Sequence, residues 1–593
     1  MDPGLTNDAS NDYWEGFRAA VRDTGVTGKG DTLLLGEEWG DANAWLLGNE
    51  WDSVMNYRFR SALLSWLFTG CSGNGCIGGT VFQDNDSNSG SSSGAISYIT
   101  PSQFNARLRS IAENYPPMAL KAMMNLEGSH DTNRVRFLLK KINNDQDWVA
   151  VQRMKEWWLF AFTYPGAPTL YYGDEIGLNH DGVWSSGKYE DDPYNRVPFP
   201  WPDTSGSSYT ADTGLQAFAR QMASIRWSYR ALQDGDVQHG LVIDDANQLY
   251  GYARTNGSQT ALIALNRDSS AHNVTFSGLN GAPYNLADGT QLVNALTGDL
   301  ATVYTVSGGS VTVNVTPTWG AVLLEKNKIE TPAAVSDLSG SFVNPNATLT
   351  WTTVMADTAG GRELVTAYQV HRGADPNFTP SGATRVATVT PSDTAYRYGS
   401  TGRQFSYSEP IALAAPQAAG PNRPAETYYY KVCSMNAPGV VGACTSAVGP
   451  LAVMLAGFEA QQAGDHVLLT WETNSELNNR GFNLYRGVTP DGPDRQLNET
   501  LIPSQSQGSP GGFSYTWEDA ADLVPGTTYF YWLDDVDLDG VVTRHGPVSV
   551  DFVVPTAVAL DGVQANPAAA LPALSWLAVT LAAGAALALG RRR

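Results

Sequence analysis

Two acidic residues of this chain follow short apolar runs, at positions where a carboxylate can do chemistry. Glu37 comes directly after Thr32–Gly36, and Asp131 lies shortly after Met123–Leu126, next to His130. Apolar runs of this length, bounded by turn residues, are typical of buried strands. Carboxyl groups at strand ends can donate a proton or attack as a nucleophile. Cleavage of a glycosidic bond with retention requires both of these roles.

The residues around these carboxylates alternate between strand-like and helix-like stretches. Over residues 1–229 this alternation predicts a β/α architecture. The predicted strands are Thr32–Gly36, Ser53–Asn56, Met123–Leu126 and Thr169–Tyr172. The predicted helices are Asn11–Arg22, Arg58–Leu67, Pro101–Asn114, Asn133–Lys141, Asp147–Phe162 and Gly214–Tyr229.

Five segments of this region, taken together and in order, resemble the α-amylase superfamily, closest to its neopullulanase and cyclomaltodextrinase branch. They are LLLGEEW at Leu33–Trp39, EWDSVMNYRFRSALLSWL at Glu50–Leu67, MNLEGSHDTNRV at Met124–Val135, YPGAPTLYYGDEIGL at Tyr164–Leu178 and DPYNRVPFPW at Asp192–Trp201. The resemblance implies the C-terminal half of a (β/α)₈ TIM barrel, in which functional side chains lie at the carboxyl ends of strands. It also implies a retaining glycoside hydrolase that acts on α-glucans.

The resemblance assigns roles to individual residues. Glu37 matches the general acid/base, and its neighbour Glu38 is a competitor, although adjacent strand residues point to opposite sides. Asp131 matches the carboxylate that stabilises the transition state. The matching substrate-binding residues are Trp39, His130, Asp192 and Arg196. Simpler interpretations are a helix N-cap for Asp131 and a surface ion pair for Asp192 with Arg196.

The family's nucleophile lies on the fourth barrel strand, in a G-x-R-x-D pattern before the helix that corresponds to Asn11–Arg22. Asp2 stands at that place, directly behind Met1. We therefore expect the chain to be the later part of a longer enzyme, because a barrel with only its second half cannot close. Two alternatives remain. One is an α-glucan transglycosylase on the same fold, and the other is an inactive cell-surface carbohydrate-binding protein.

Beyond the β/α region the pattern becomes all-β. Ala347–Trp351 and Tyr368–Gly373 are echoed by Val467–Trp471 and Phe482–Gly487, a repeat that resembles tandem fibronectin type III modules. The predicted domains are a partial barrel at 1–229, a β-sandwich at 230–327, fibronectin III-like modules at 331–455 and 456–556, a linker at 557–567 and a transmembrane or sorting tail at 568–593.

Composition and charge restrict the partners and the compartment. The formal net charge of -22 and the lack of a basic stripe argue against nucleic-acid binding, whereas a neutral α-glucan is indifferent to that charge. The cysteines form two close pairs, Cys71 with Cys76 and Cys433 with Cys444, which predict local disulfides in an oxidising compartment. The uncharged tail that ends in Arg591–Arg593 predicts a membrane or cell-surface anchor and an extracellular body.

One further motif concerns a metal. Asp535–Gly540 reads D-x-D-x-D-G, the opening of a calcium loop, but the closing position is Gly546 rather than Glu. A hairpin that turns at Asp539 and Gly540 is the simpler prediction. Calcium is therefore possible from the family resemblance, without assigned ligands, and no organic cofactor is implied.

Overall fold

The computed structural model describes residues 13–554, apart from 29, 69–97, 144–145, 180–182, 186–187, 191, 202–209, 344–345, 391–396, 400–401, 411–427, 450–453, 477–478, 507–511, 539 and 541. Chain contacts divide the protein into two compact units, one built mainly from Met1–Met454 and the other mainly from the residues that follow.

Several sequence predictions fall on residues outside these ranges. They are Asp2, the Cys71 and Cys76 pair, the linker at 557–567 and the tail at 568–593. Among the described residues, no helix combines the length and the apolar character that crossing a bilayer requires.

The first unit begins with β/α segments whose helices match most predicted positions. The helices are α1 Tyr13–Arg22, α2 Thr24–Thr27, α3 Tyr57–Leu67, α4 Pro101–Asn114, α5 Pro117–Ala122, α6 Val135–Ile142, α7 Asp147–Thr163, α8 Thr213–Trp227 and α9 Arg230–Asp234. The strands are β1 Leu35–Gly36, β2 Ser53–Val54, β3 Met124–Leu126, β4 Ala167–Thr169, β5 Val183–Ser185 and β6 Lys188–Glu190. Local chemistry begins these helices. The α4 helix, for example, starts with a capping box between Thr100 and Gln103.

Strands β1 to β4 lie side by side and run parallel. β1 pairs with β2, Met55 bridges to Met124, and β3 pairs with β4. Because all four strands point the same way, their carboxyl ends and the loops that follow meet at one edge. The helices cover this sheet with a core that includes large buried rings, namely Phe59, Trp66, Phe104, Trp157, Trp158 and Phe160.

The predicted position of the fourth strand is wrong. The strand is Ala167–Thr169, whereas Leu170–Tyr172 lies beyond its carboxyl end. The aromatic run favours a strand by composition, but a tertiary contact decides otherwise. The Arg134 guanidinium lies 4.8 Å from the ring centroids of both Tyr171 and Tyr172 and donates to the Tyr172 carbonyl over 2.8 Å.

A β-sandwich follows the β/α region within the same unit. Its strands are β7 Asp236–Asp244, β8 Leu249–Thr255, β9 Thr260–Asn266, β10 His272–Phe276, β11 Gln291–Asn294, β12 Tyr304–Thr305, β13 Val311–Val315 and β14 Trp319–Glu325. Six form a sheet in the order β12-β11-β14-β9-β8-β7, and β10 pairs with β13. The larger sheet packs on α7, where Arg254 donates to the Thr163 carbonyl over 2.8 Å.

Two further sheets complete the first unit. Their strands are β15 Ser339–Val343, β16 Asn346–Thr352, β17 Ala367–Gly373, β18 Arg385–Val389, β19 Arg397–Gly399, β20 Gly402–Pro410, β21 Tyr429–Met435 and β22 Val441–Cys444. The strand orders are β15-β16-β20-β19 and β18-β17-β21-β22. The predicted disulfide between Cys433 and Cys444 is confirmed and joins β21 to β22. This module rests on α8, where the Ala437 amide donates to Ser224 Oγ over 2.9 Å.

The second unit is also all-β. Its strands are β23 Met454–Ala463, β24 His466–Ser475, β25 Asn479–Gly487, β26 Arg495–Gln496, β27 Ile502–Pro503, β28 Ser514–Asp519, β29 Thr527–Asp537 and β30 Val542–Phe552. The predicted hairpin is confirmed, because β29 and β30 are antiparallel and Val536 pairs with Val542. Asp535 of the candidate calcium loop instead contacts His545 Nε2 at 2.5 Å.

Candidate active site

Glu37 lies immediately after β1, at the edge where the parallel strands end. The position before it requires glycine, because a Cβ atom on Gly36 would lie 2.1 Å from the Trp51 ring. The two adjacent glutamates have different surroundings. Glu38 Oε1 accepts a 2.8 Å hydrogen bond from the Gly40 amide, which engages this carboxylate in its own turn. Glu37 is half-buried, and its charge acts on a different residue, Tyr57.

Tyr57 begins α3 and is almost fully buried. Its ring stacks on the indole of Trp39, with 3.5 Å between centroids and 14° between planes. Its hydroxyl donates to Ser129 Oγ over 3.1 Å. Burial is the main cause of the raised pKa of the Tyr57 phenol, and the negative charges of Glu37 and Asp131 raise that pKa further. The phenol therefore lies in the electrostatic field of both carboxylates, which come from loops after β1 and β3.

Asp131 is held by contacts on three sides. Its amide donates to Ser129 Oγ over 3.1 Å, and its Oδ2 lies 3.2 Å from His130 Nε2. Its Oδ1 accepts a 3.0 Å hydrogen bond from Arg196 Nη2. Asn195 is buried and donates to the His130 carbonyl over 2.7 Å. These contacts bring the loop after β3 and the turn at Tyr194–Arg196 together.

Arg196 also contacts Asp192, at 3.4 Å from Nε to Oδ1. The predicted surface ion pair is therefore present, and the same guanidinium reaches Asp131. The N-cap interpretation of Asp131 is wrong, because the N-cap of α6 is Arg134 and no side chain caps that helix. Asp131 thus has its carboxylate directed toward Arg196 and His130 rather than toward the start of a helix.

Three residues that position this site carry no chemical signal in the sequence. Tyr57, Ser129 and Asn195 are neutral and polar, and each lies inside a segment that carries the family resemblance. They are identified as positioning residues only by their contacts with the charged residues of the site in the folded structure. Within the described ranges, no group of three His, Cys, Asp or Glu side chains could hold a metal ion.

Residues 5–227 match the family described as alpha amylase, catalytic domain. An amylopullulanase from Thermoanaerobacterium saccharolyticum is 30% identical over 338 residues, covering 54% of this chain and 23% of that protein. A cyclomaltodextrinase from Geobacillus thermopakistaniensis is 32% identical, covering 50% of this chain and 40% of that protein. Neopullulanase 2 from Thermoactinomyces vulgaris is 30% identical, covering 44% of this chain and 36% of that protein. The chain thus spans less than half the length of each of these relatives.

Proposed function

We propose that this chain is a retaining glycoside hydrolase acting on α-glucans, because residues 5–227 match the family described as alpha amylase, catalytic domain, and are similar to a neopullulanase and a cyclomaltodextrinase. The substrates would be starch, maltooligosaccharides, pullulan or cyclodextrins. The observation that carries the proposal is that the charges of Glu37 and Asp131, which lie after β1 and β3, both act on the buried Tyr57 phenol. Two carboxyl groups at the carboxyl ends of parallel strands can act on one sugar ring.

In the proposed reaction, Glu37 protonates the leaving oxygen and later deprotonates the attacking water. Asp2 would attack the anomeric carbon to form the covalent intermediate. Asp131 would hold sugar hydroxyls and favour the positively charged transition state, with His130 binding the same ring. Trp39 would stack on a sugar face, and Asp192 with Arg196 would contact a neighbouring sugar.

The test is the release of reducing sugar from soluble starch, pullulan and cyclodextrins. Glu37→Gln should slow the reaction by about 10²- to 10⁴-fold, because loss of a general acid has that effect. Glu38→Gln is the matched control and should retain the rate, since its carboxylate bonds only within its own turn among the contacts described. Equal losses in the two variants would overturn the assignment. Product analysis on maltooligosaccharides would reveal longer sugars if transfer exceeded hydrolysis.

We also propose that the protein is located outside the cell, at the cell surface, with residues 568–593 as the anchor. The sheets formed by β15 to β22 and by β23 to β30 would be the two fibronectin III-like modules. The disulfide between Cys433 and Cys444 supports an oxidising compartment. The same assays test for a calcium requirement, since chelation should lower activity if an ion supports the fold. Release of the body by protease treatment of intact cells would support the location, and retention inside the cells would contradict it.

A further inference from the structure

A second pair of carboxyl groups lies beneath the candidate active site. Glu127 follows β3 directly, and its side chain is 1% exposed. Asp174 begins the turn after β4, and its side chain and that of Arg134 are fully buried, with 3.0 Å between Arg134 Nη1 and Asp174 Oδ1. Arg134 therefore compensates the charge of one of the two acidic side chains, Asp174. A second uncompensated negative charge in such a place would be strongly disfavoured.

The hydrogen bonds of Glu127 and Asp174 show which of their carboxyl oxygens lack a donor. Trp158 Nε1 donates to Glu127 Oε2 over 2.6 Å. The other oxygens of the pair, Glu127 Oε1 and Asp174 Oδ2, are buried. If both carboxyl groups were ionised, neither oxygen would have a hydrogen-bond donor among the described contacts. Asp174 Oδ2 lies beside the residue that follows Glu127, since a Cβ atom on Gly128 would be 3.6 Å from it. The Glu127 and Asp174 side chains are within hydrogen-bonding reach of each other, and two carboxylate oxygens can form such a bond only with a hydrogen atom between them.

We propose that Glu127 and Asp174 share one proton, and that the resulting hydrogen bond positions the segment that carries His130 and Asp131. Glu127 is the acid and donates from Oε1 to Asp174 Oδ2, while Asp174 keeps its negative charge for Arg134. In this arrangement Arg134 compensates the negative charge of Asp174, and Glu127 is neutral.

Two buried arginines hold the two ends of the segment that carries His130 and Asp131. At one end, the Glu127 carbonyl accepts a 2.9 Å hydrogen bond from Arg60 Nε of α3. At the other end, Arg134 donates to the Tyr172 carbonyl and to Asp174, both beyond β4. The residues between these ends include His130 and Asp131. Loss of the shared proton would therefore loosen the loop on which the proposed sugar contacts depend.

The charged surroundings agree with a retained proton. Burial is the main cause of the raised pKa of Glu127, and the charges of Asp174 and Glu175 raise it further. The hydrogen bond from Trp158 acts in the opposite direction and lowers this pKa. Burial likewise raises the pKa of Asp174, but Arg134 and the hydrogen bond with Glu127 act to lower it, so Asp174 is the more acidic member of the pair. The folded pair thus binds more protons than the unfolded chain above about pH 4.5, so its contribution to stability decreases as pH rises.

The proposal is tested with Glu127→Gln, Glu127→Leu and Glu363→Gln in the full chain. Gln keeps a donor for Asp174 without a titrating proton, whereas Leu removes the donor. Glu363 is a matched control, because it is a buried carboxyl with a raised pKa in the module formed by β15 to β22 (described residues up to 449, hereafter the module at 331–449), which holds none of the proposed site residues. The measurements are the Tm from pH 5 to 9, hydrogen exchange of residues 124–134, and the rate–pH profile on maltoheptaose.

We expect the difference in Tm between Glu127→Gln and the native chain to shift in favour of the variant as pH rises. Amide hydrogen exchange of residues 124–134 should become faster only in Glu127→Leu. The rates expected for hydrolysis of maltoheptaose rest on the proposed function. Glu127→Gln should stay within about 2-fold of the native rate near pH 6 and lose less activity at high pH, while Glu127→Leu falls at least 10-fold. Glu363→Gln should change the Tm profile but not the rate profile.

Two results would overturn the inference. A pH-independent Tm difference for Glu127→Gln would exclude the shared proton, and native exchange at 124–134 in Glu127→Leu would exclude the positioning role. If the native chain hydrolyses no glucan, the proposed function fails, but the Tm and exchange measurements still decide this inference.

Discussion

The indole of Trp39 lies flat on the ring of Tyr57, with 3.5 Å between the two centroids. One face of the indole is therefore covered by protein, and the opposite face is the one that could stack on a sugar. This places an aromatic surface two residues beyond Glu37, on the same loop.

Trp39→Ala should raise the KM for maltooligosaccharides more than it lowers kcat, because it removes a stacking surface and no titrating group. We expect an effect of about 10-fold, and kinetics on maltoheptaose would measure it. Trp39→Phe is the control, since it keeps an aromatic ring over Tyr57 and should recover most of the affinity. A similar loss with Phe and Ala would argue against stacking.

Tyr57→Phe should lower both stability and kcat. The variant keeps the stacked ring but removes the hydroxyl that donates to Ser129, which costs about 1 kcal/mol for a buried hydrogen bond. Because Ser129 also accepts from the Asp131 amide, the position of that carboxylate should become less defined. Tyr115→Phe is the control. It removes a buried hydroxyl that accepts from the Ala42 amide, and should destabilise without affecting kcat.

Arg196→Ala should reduce kcat by about 10-fold or more while it changes the free energy of unfolding by less than about 1 kcal/mol. The guanidinium is 42% exposed, and exposed ion pairs contribute little to stability, but this one orients Asp131. Arg109→Ala breaks a more exposed pair with Glu113 on α4 and should alter neither quantity measurably. If both variants retain native kinetics, the orienting role of Arg196 is wrong.

Replacement of Cys433 and Cys444 by serine should destabilise the module at 331–449 by about 2 to 3 kcal/mol, because the bond closes a short loop between β21 and β22. Chemical unfolding of the native and double-serine chains would measure the difference. A reductant should lower the stability of the native chain toward that of the variant. The variant itself should respond to reductant much less.

Glu363→Gln should make the stability of the first unit less dependent on pH. Burial raises the pKa of Glu363 from 4.5 to about 7, so the folded state holds a proton that the unfolded chain has lost. The native chain should therefore lose stability relative to the variant from about pH 4.5 to 7, with little further change above that range. Melting temperatures across this interval would check the sign. A constant difference would contradict it.

Much of the fold was predictable because its signals are local. The α4 helix has the predicted bounds, since a capping box and Pro101 begin it and apolar spacing continues it. The β29–β30 hairpin followed from turn residues between two alternating strands. The fourth parallel strand was misplaced because Arg134, far away in the sequence, holds Tyr171 and Tyr172 outside the sheet.

The sequence by itself determined the chemical identity of the candidate site, since Glu37, His130 and Asp131 were recognised from residue type and motif order. Only the tertiary structure decided which neighbours they meet. It directed Glu38 to its own turn, exposed the Tyr57 phenol to the charges of two carboxylates, and brought Glu127 within hydrogen-bonding reach of Asp174. The physical reason is that the energy of a charge depends on distance and burial. Both are set by segments that are remote in the chain and meet only in the fold.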